Sequence, residues 1–321
     1  MSPSEATSPQ PEHTEPRHPD PDLATLTFRD YRAVVIRAAK QALDDHVTNL
    51  AAALAYYAFL AIPALLLVAV GAFSLFGDPD AVASIVDRLS GVMPREAVSL
   101  VQDALLRVTE QRAGAGVSMS VVGLVLAFWS LTGAMQTLMW ALNEAYDREE
   151  TRGFVKQRVT GLVMVVLLLL AFALAFGLLV LGPHLSGWIG SAVGAEALVQ
   201  WLWWTAQWPI LLLGLLLAFA TILYLGPDVD HPRWSFLTIG TGLAVVVWLA
   251  ASGAFALYAS RFGSYDKTWG SLGIVIVMLT WLWLSSLALL LGAEVNAEAE
   301  RSRELRRGEP AEKRLTAPPR G

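Results

Sequence analysis

The segment WLSSLALLLGAEVNAE, residues Trp283 to Glu298, carries an apolar run directly into an acidic residue, Glu294. The run is free of charge from Thr268 to Ala293, and about 20 such residues suffice to cross a bilayer as a helix. An acid near a helix C-terminus meets the partial negative charge of the helix dipole, where a cation is favoured instead. The segment therefore predicts a membrane-spanning helix and raises the question of what stabilises Glu294.

The rest of the chain repeats this apolar pattern. Of its 321 residues, 55% are hydrophobic and only 16% are charged, which is unusual for one soluble domain. We therefore predict an all-α, polytopic membrane protein with six transmembrane helices. The six charge-free stretches are Val47 to Gly77, Ala113 to Asn143, Val159 to Ala195, Ala197 to Pro227, Trp234 to Ser260 and Thr268 to Ala293.

The basic residues indicate the orientation in the membrane. With six spans, 17 of the 23 Lys and Arg fall on the side that holds both termini, and the positive-inside rule makes that side cytoplasmic. We expect a multi-pass protein of the bacterial inner (plasma) membrane. Residues 29–300 would form the membrane domain, and residues 1–28 and 301–321 would be disordered cytoplasmic tails.

The first extracytoplasmic loop, about residues 78–112, is long enough to have structure of its own. Val82, Ile85 and Leu89 recur at helical spacing, and Pro94 begins a second such pattern. We predict an amphipathic helical pair that lies against the membrane surface or caps the bundle.

Acids, amides and basic residues cluster at the predicted cytoplasmic ends of the spans. We interpret them as a polar rim, in which Glu294 faces the bundle and pairs with a basic residue of the loop from Glu144 to Arg158. The alternative is a solvated acid just beyond the membrane boundary. The candidate rim residues are Asn49, Asn143, Glu144, Arg152, Lys156, Glu294 and Asn296.

The centres of the six spans contain no charged residue, so their polar side chains are uncharged. Most such side chains form hydrogen bonds between helices. Pro63 lacks a backbone donor and predicts a kink in the first span. The candidate interior residues are Tyr56, Tyr57, Pro63 and Gln136.

Nothing in the sequence predicts an enzyme. There is no His-Glu-x-x-His helix, no glycine-rich phosphate loop and no cysteine, and the segment GPDVDHPRW has ordinary turn chemistry. We predict no metal and no cofactor. The net charge of −5 gives no sign of a nucleic-acid partner.

Several segments together resemble a known family. NLAAALAYYAFLAIPALLL, LTGAMQTLMWALNEAYDREETRGFVKQR, YLGPDVDHPRWSF and RFGSYDKTWGSLGIVIVMLTWLWLSSLALLLGAEVNAE are similar, in order and spacing, to the YihY/BrkB family of bacterial inner-membrane proteins. Trp269 departs from the Tyr that is more common there. The candidate motif glycines are Gly270, Gly273 and Gly292, where we expect close helix contact.

The resemblance implies a multi-pass membrane protein but no catalytic residues. Members have been labelled ribonuclease BN, which is widely regarded as a misassignment, and one branch is called a virulence or serum-resistance factor. The leading hypothesis is envelope-related transport of a lipid or another amphipathic molecule, with the bilayer and an envelope precursor as partners. The alternative is a non-transporting scaffold or envelope-integrity factor. An ion-coupled carrier is disfavoured because no carboxylate is embedded at a span centre.

Overall fold

The computed structural model describes residues 28–76, 116–230, 238–261, 271–307 and 311. These residues form helices and their connections, with no strand among them, which confirms the all-α class. A π-helical turn, Gly177–Leu181, joins α4 to α5. The helices are α1 (Phe28–Asp44), α2 (Val47–Phe76), α3 (Gly116–Ala145), α4 (Phe154–Phe176), α5 (Gly182–Val193), α6 (Glu196–Leu225), α7 (Ile239–Arg261) and α8 (Ser271–Arg307).

Within the described residues, four helical segments are long and apolar enough to cross a membrane: Phe154–Leu179, Glu196–Leu225, Ile239–Tyr258 and Val275–Arg306. Helices α2 and α3 have 30 residues each, or about 45 Å of helix, and coincide with the first two predicted spans. Their membrane crossing, and hence the total of six, stays a prediction. The helical pair predicted for residues 78–112 lies outside the described residues.

The six long helices contact one another in a closed order. The order runs α2, α3, α4, α6, α7 and α8, and α8 returns to α2. Helix α8 also contacts α3 and α6, and α1 packs against its C-terminal half. We call the end of the bundle that carries α1 the α1 end.

The buried core is concentrated at the α1 end. It combines the early turns of α2, α4 and α7 with the last turns of α3 and α6 and the middle of α8. Close packing of side chains is a main source of helix association within a bilayer, so this end holds the helices together. The core includes Ala51, Leu54, Met139, Leu142, Met164, Leu223, Ala244, Leu290 and Ala293.

The opposite part of the bundle is packed differently. We define the far half as residues 56–62, 166–179, 197–218, 246–258 and 275–287. Among the side chains described there, only Gln207 is buried.

Helices α7 and α8 approach closely at two glycines. A Cβ atom added at Gly292 would lie 2.6 Å from the Cβ of Ala244, and one at Gly240 would collide with the Gly292 carbonyl oxygen. The Gly240 amide donates a hydrogen bond to Oδ1 of Asn296 at 2.9 Å. Small residues here let the two backbones touch, as they do in many membrane helix pairs. Of the other motif glycines, Gly273 is buried within α8, and Gly270 lies outside the described residues.

The sequence interpretation did not identify α1 as a separate helix. Its buried residues Val34, Ala38 and Ala42 recur every four positions, and the first two pack with Val295 and Ala299 of α8. That spacing puts them on one helical face, which is the signal that could have revealed α1.

Candidate functional site

Two clusters of buried charge lie at the α1 end, where connections between helices meet α8 and the end of α6. We call the first the Arg152 clamp: Asn143, Glu150, Thr151, Arg152 and Asp228. We call the second the Glu294 pocket: Glu294 with Asp45, Tyr146, Asp147, Asn296, Glu298 and Arg301.

In the Arg152 clamp, the guanidinium of Arg152 is buried and fully engaged. Nε donates to Oε1 of Glu150 at 2.6 Å, and Nη2 donates to Oε2 of the same residue at 2.7 Å. Nη1 and Nη2 also donate to the carbonyl oxygens of Leu225 and Gly226, at 3.1 and 2.7 Å. These carbonyls end α6, where a cation is favoured by the helix dipole.

Asn143 and Asp228 complete the clamp. Asn143 donates from Nδ2 to Glu150 at 2.9 Å and accepts at Oδ1 from the Asp228 amide at 2.6 Å. Oδ2 of Asp228 accepts from the amide and the hydroxyl of Thr151, at 2.8 and 2.5 Å. The clamp thus fastens the connection between α3 and α4 to the end of α6.

Glu294 has a different environment. It is fully buried, and its two carboxyl oxygens accept no hydrogen bond from the residues that the structure describes. The charges that act on it are those of Asp45, Asp147, Glu298 and Arg301. An unpartnered buried carboxyl is costly, so this arrangement needs an explanation.

The basic groups near Glu294 are held by other acids. Arg301 forms ion pairs with Glu298 and with Oδ2 of Asp147, the latter at 2.5 Å. Arg37 of α1 pairs with Oε2 of Glu298 at 3.0 Å. The repulsion expected between Glu294 and Glu298 is therefore reduced because cations pair with Glu298, whereas Glu294 has no such ion pair among the described residues.

Glu294 faces the interior of the bundle, as one of the two sequence interpretations has it, but its carboxyl accepts no hydrogen bond from the described residues of the loop from Glu144 to Arg158. Arg152 is committed to Glu150 and the end of α6, and Lys156 is exposed. The connection does reach α8, but it does so through Asp147 and Arg301. Of the remaining rim candidates, Asn49 and Glu144 are exposed. Asn143 forms hydrogen bonds within the clamp, and Asn296 accepts a hydrogen bond from α7.

Two ionisable groups beside Glu294 lie outside the spans, and the pKa of each is raised: the Tyr146 hydroxyl and the Asp45 carboxyl. Burial raises the pKa of the Tyr146 hydroxyl, and Glu300 and Glu294 raise it further, while a hydrogen bond with Asn296 opposes the rise. Burial also raises the pKa of Asp45. An additional negative charge in the pocket is therefore electrostatically unfavourable.

The four candidate interior residues lie on α2 and α3. Tyr56 and Tyr57 are 56% and 45% exposed, so they lie at the surface of α2. The buried face of α2 is set by Ala51 and Leu54, and residues 56 and 57 follow on other faces of the helix. Gln136 is half-buried, and Pro63 lies within α2, where the predicted kink stays a prediction.

Sequence reasoning missed Glu150, Asp147 and Arg301 because their partners lie far along the chain. Asp228 was visible only as a turn residue. The signal that could have found it is an acid directly after an apolar helix, where it can help to hold a cation beside the last carbonyls of the helix.

The sequence is similar to those of known bacterial membrane proteins. A sequence model of the virulence factor BrkB family matches residues 38–316, which is most of the chain. The chain belongs to this family. The match covers all eight helices apart from the first ten residues of α1.

Individual relatives agree with the family assignment. A UPF0761 membrane protein of Alteromonas mediterranea is 25% identical over 303 residues, which cover 90% of this chain and 94% of the relative. A UPF0761 membrane protein of Chromohalobacter salexigens is 28% identical over 56% of this chain and 42% of its own length. No solved structure matches.

One relative of the chain carries a ribonuclease-like name. This is YfkH of Bacillus subtilis (strain 168), 30% identical over 212 residues, or 66% of this chain and 76% of YfkH. Neither the family match nor the UPF0761 names describe a reaction. A ribonuclease would need a basic track for phosphates and a positioned acid, base or metal. The name is therefore not supported for this chain.

Proposed function

We propose that this BrkB-family protein moves a lipid or another amphipathic component of the cell envelope. The observation that carries the proposal is the contrast between the packed α1 end and the far half. In the far half, every face of α4, α7 and α8 is at least partly exposed, and in α6 only Gln207 is buried. Contact with lipid accounts for exposed side chains on the outward faces of a ring of helices. An accessible interior would account for exposed side chains on the inward faces.

The chemistry of the far half suits an amphipathic molecule. Its five segments contain no Asp, Glu, Lys or Arg, so acyl chains would meet apolar surface there. Uncharged polar groups are interspersed: Trp248 donates to Ser285 at 3.0 Å, and Trp281 donates to Ser252 at 3.4 Å. Such groups can satisfy a polar headgroup without the cost of burying a charge.

The packed α1 end would close the path on one side. By the positive-inside rule this end faces the cytoplasm, so the conformation would be accessible from the opposite side. Helices α7 and α8 touch through Gly240 and Gly292 at the closed end, and the clamp fastens α4 to α6 nearby.

Movement of a fluorescent phospholipid between leaflets of proteoliposomes tests the proposal. The chain has no cysteine, so a Ser252→Cys variant carries one thiol in the far half. We expect the unlabelled variant to move the lipid and a bulky maleimide on residue 252 to reduce the rate several-fold. Leu43→Cys, on the exposed side of α1, is the matched control, and its labelling should leave the rate unchanged.

Failure of the wild-type chain to accelerate lipid movement over empty vesicles would overturn the proposal. Loss of an envelope phenotype on deletion of a tail, with lipid movement absent, would favour the scaffold instead. Equal blocking by labels at residues 252 and 43 would also count against a path through the far half.

A further inference from the structure

The buried carboxyl of Glu294 has no role in the lipid path described above. It lies at the packed α1 end, it is fully buried, and its oxygens accept no hydrogen bond within the described part of the chain. Every carboxylate of the Arg152 clamp, by contrast, accepts several. The environment of Glu294 therefore suits a carboxyl group that binds something small.

The charged and titratable groups around Glu294 come from four elements. The turn between α1 and α2 supplies Asp45, and the connection after α3 supplies Tyr146 and Asp147. Helix α8 itself supplies Glu298 and Arg301, and α1 supplies Arg37, which pairs with Glu298. With Glu294 itself, four carboxyl groups share two cations in this set, so a positive ligand is favoured.

The donor set of the pocket selects the ligand. Among the described residues, no group of acids and histidines is arranged to hold a metal ion. A proton needs only one oxygen, and a protonated carboxyl can donate to a neighbouring carboxylate such as Asp45 or Asp147. Burial away from donors also favours the neutral form of an acid.

We propose that Glu294 is a proton-binding residue whose protonation controls the ion pair between Arg301 and Asp147. Positions 294, 298 and 301 lie on one face of α8, at spacings of four and three residues. When the proton leaves for the cytoplasmic solvent, the Glu294 carboxylate attracts Arg301 away from Asp147. That exchange releases the connection after α3 from α8 and loosens the closed end.

This mechanism rests on the proposed function only for what the loosening achieves, which is access to the lipid path from the α1 end. Sequence reasoning disfavoured ion coupling because the span centres lack a carboxylate. The structure adds a carboxyl that is buried by the protein rather than placed at a span centre, which supplies the group that coupling requires.

Infrared spectroscopy of the purified full chain in nanodiscs tests proton binding directly. We expect the carbonyl stretch of a protonated carboxylic acid at neutral pH in the wild-type chain and its loss in Glu294→Gln. Glu149→Gln, which changes an exposed acid in the connection after α3, should leave the band intact. Absence of the band from the wild-type chain, or its persistence in Glu294→Gln, would overturn the proposal.

Lipid movement at several pH values then tests the coupling. The wild-type rate should change several-fold with pH, and the Glu294→Gln rate should not. A pH-independent wild-type rate would refute coupling while leaving the lipid path intact. If the wild-type chain moves no lipid but shows the infrared band, the proposed function fails and the proton site stands.

Discussion

The Arg152 clamp and the Glu294 pocket lie at the same end of the bundle and both bury charge, yet they differ in how their oxygens are partnered. Both carboxyl oxygens of Glu150 accept hydrogen bonds from Arg152 or Asn143. Those of Glu294 accept none among the described residues. Because an isolated buried charge is costly, the clamp is expected in one rigid state and the pocket in states that differ by a proton.

The difference also separates two uses of a buried acid. A satisfied cluster fixes one arrangement of the helices it joins, as the clamp does for α4 and α6. A buried acid whose oxygens lack partners can instead change its state when a ligand binds to it. Burial alone therefore does not identify a functional residue, whereas burial without a partner is a stronger indication.

The largest expected effect comes from breaking the clamp. Arg152→Met would leave Glu150 and Asp228 without their cation, and removal of one partner from a buried ion pair costs about 3–5 kcal/mol. Thermal unfolding in detergent measures the loss, with exposed Lys156→Met as the control. A midpoint for Arg152→Met equal to that of the control would contradict the assignment of the clamp as a structural tie.

The same neutral substitution should give different results in the two clusters. Glu150→Gln places amide hydrogens against the donors of Arg152 and Asn143, so we expect a loss of about 2–3 kcal/mol. Glu294→Gln removes no acceptor in use, and the folding free energy at neutral pH should change by less than about 1 kcal/mol. Denaturation of both variants beside the wild-type chain measures the two changes in folding free energy. Equal losses would mean that Glu294 is as firmly partnered as Glu150.

The sequence was sufficient for the features that depend on local pattern. The apolar run that ends at Glu294 is helical, and Gly292 marks a close helix contact, because composition and spacing determine both. Asn143 and Arg152 both flank predicted spans, and in the structure both lie at the α1 end.

The partners of those residues could not be read from the sequence. Arg152 bonds to residues more than 70 positions away, and Arg301 pairs with Asp147 across 154 positions. Several basic residues were available to Glu294, and the three-dimensional arrangement assigns them to other acids. Periodicity gives the face on which a residue lies but does not choose between competing partners.

The smallest effect, at the edge of the pocket, follows from the raised pKa of Asp45. Burial is its first cause, a hydrogen bond from Gln41 opposes it, and Asp147, Glu144 and Asp44 add to it. Because the folded-state pKa is above the unfolded value, near 3.9 for an ordinary Asp, unfolding at a pH between the two values releases a proton. The contribution of Asp45 to stability therefore falls as the pH rises through this window.

Asp45→Asn should remove this penalty at neutral pH and leave stability unchanged below the unfolded-state pKa. Since the carboxyl is partly exposed, solvent screening limits the gain to about 0.5 kcal/mol or less. Thermal midpoints of the variant and the wild-type chain, measured from acidic to neutral pH, should diverge slightly as the pH rises. A gain that is largest at acidic pH would reverse the sign and show that Asp45 is stabilised as a carboxylate, so that the pocket is less crowded with negative charge than its geometry indicates.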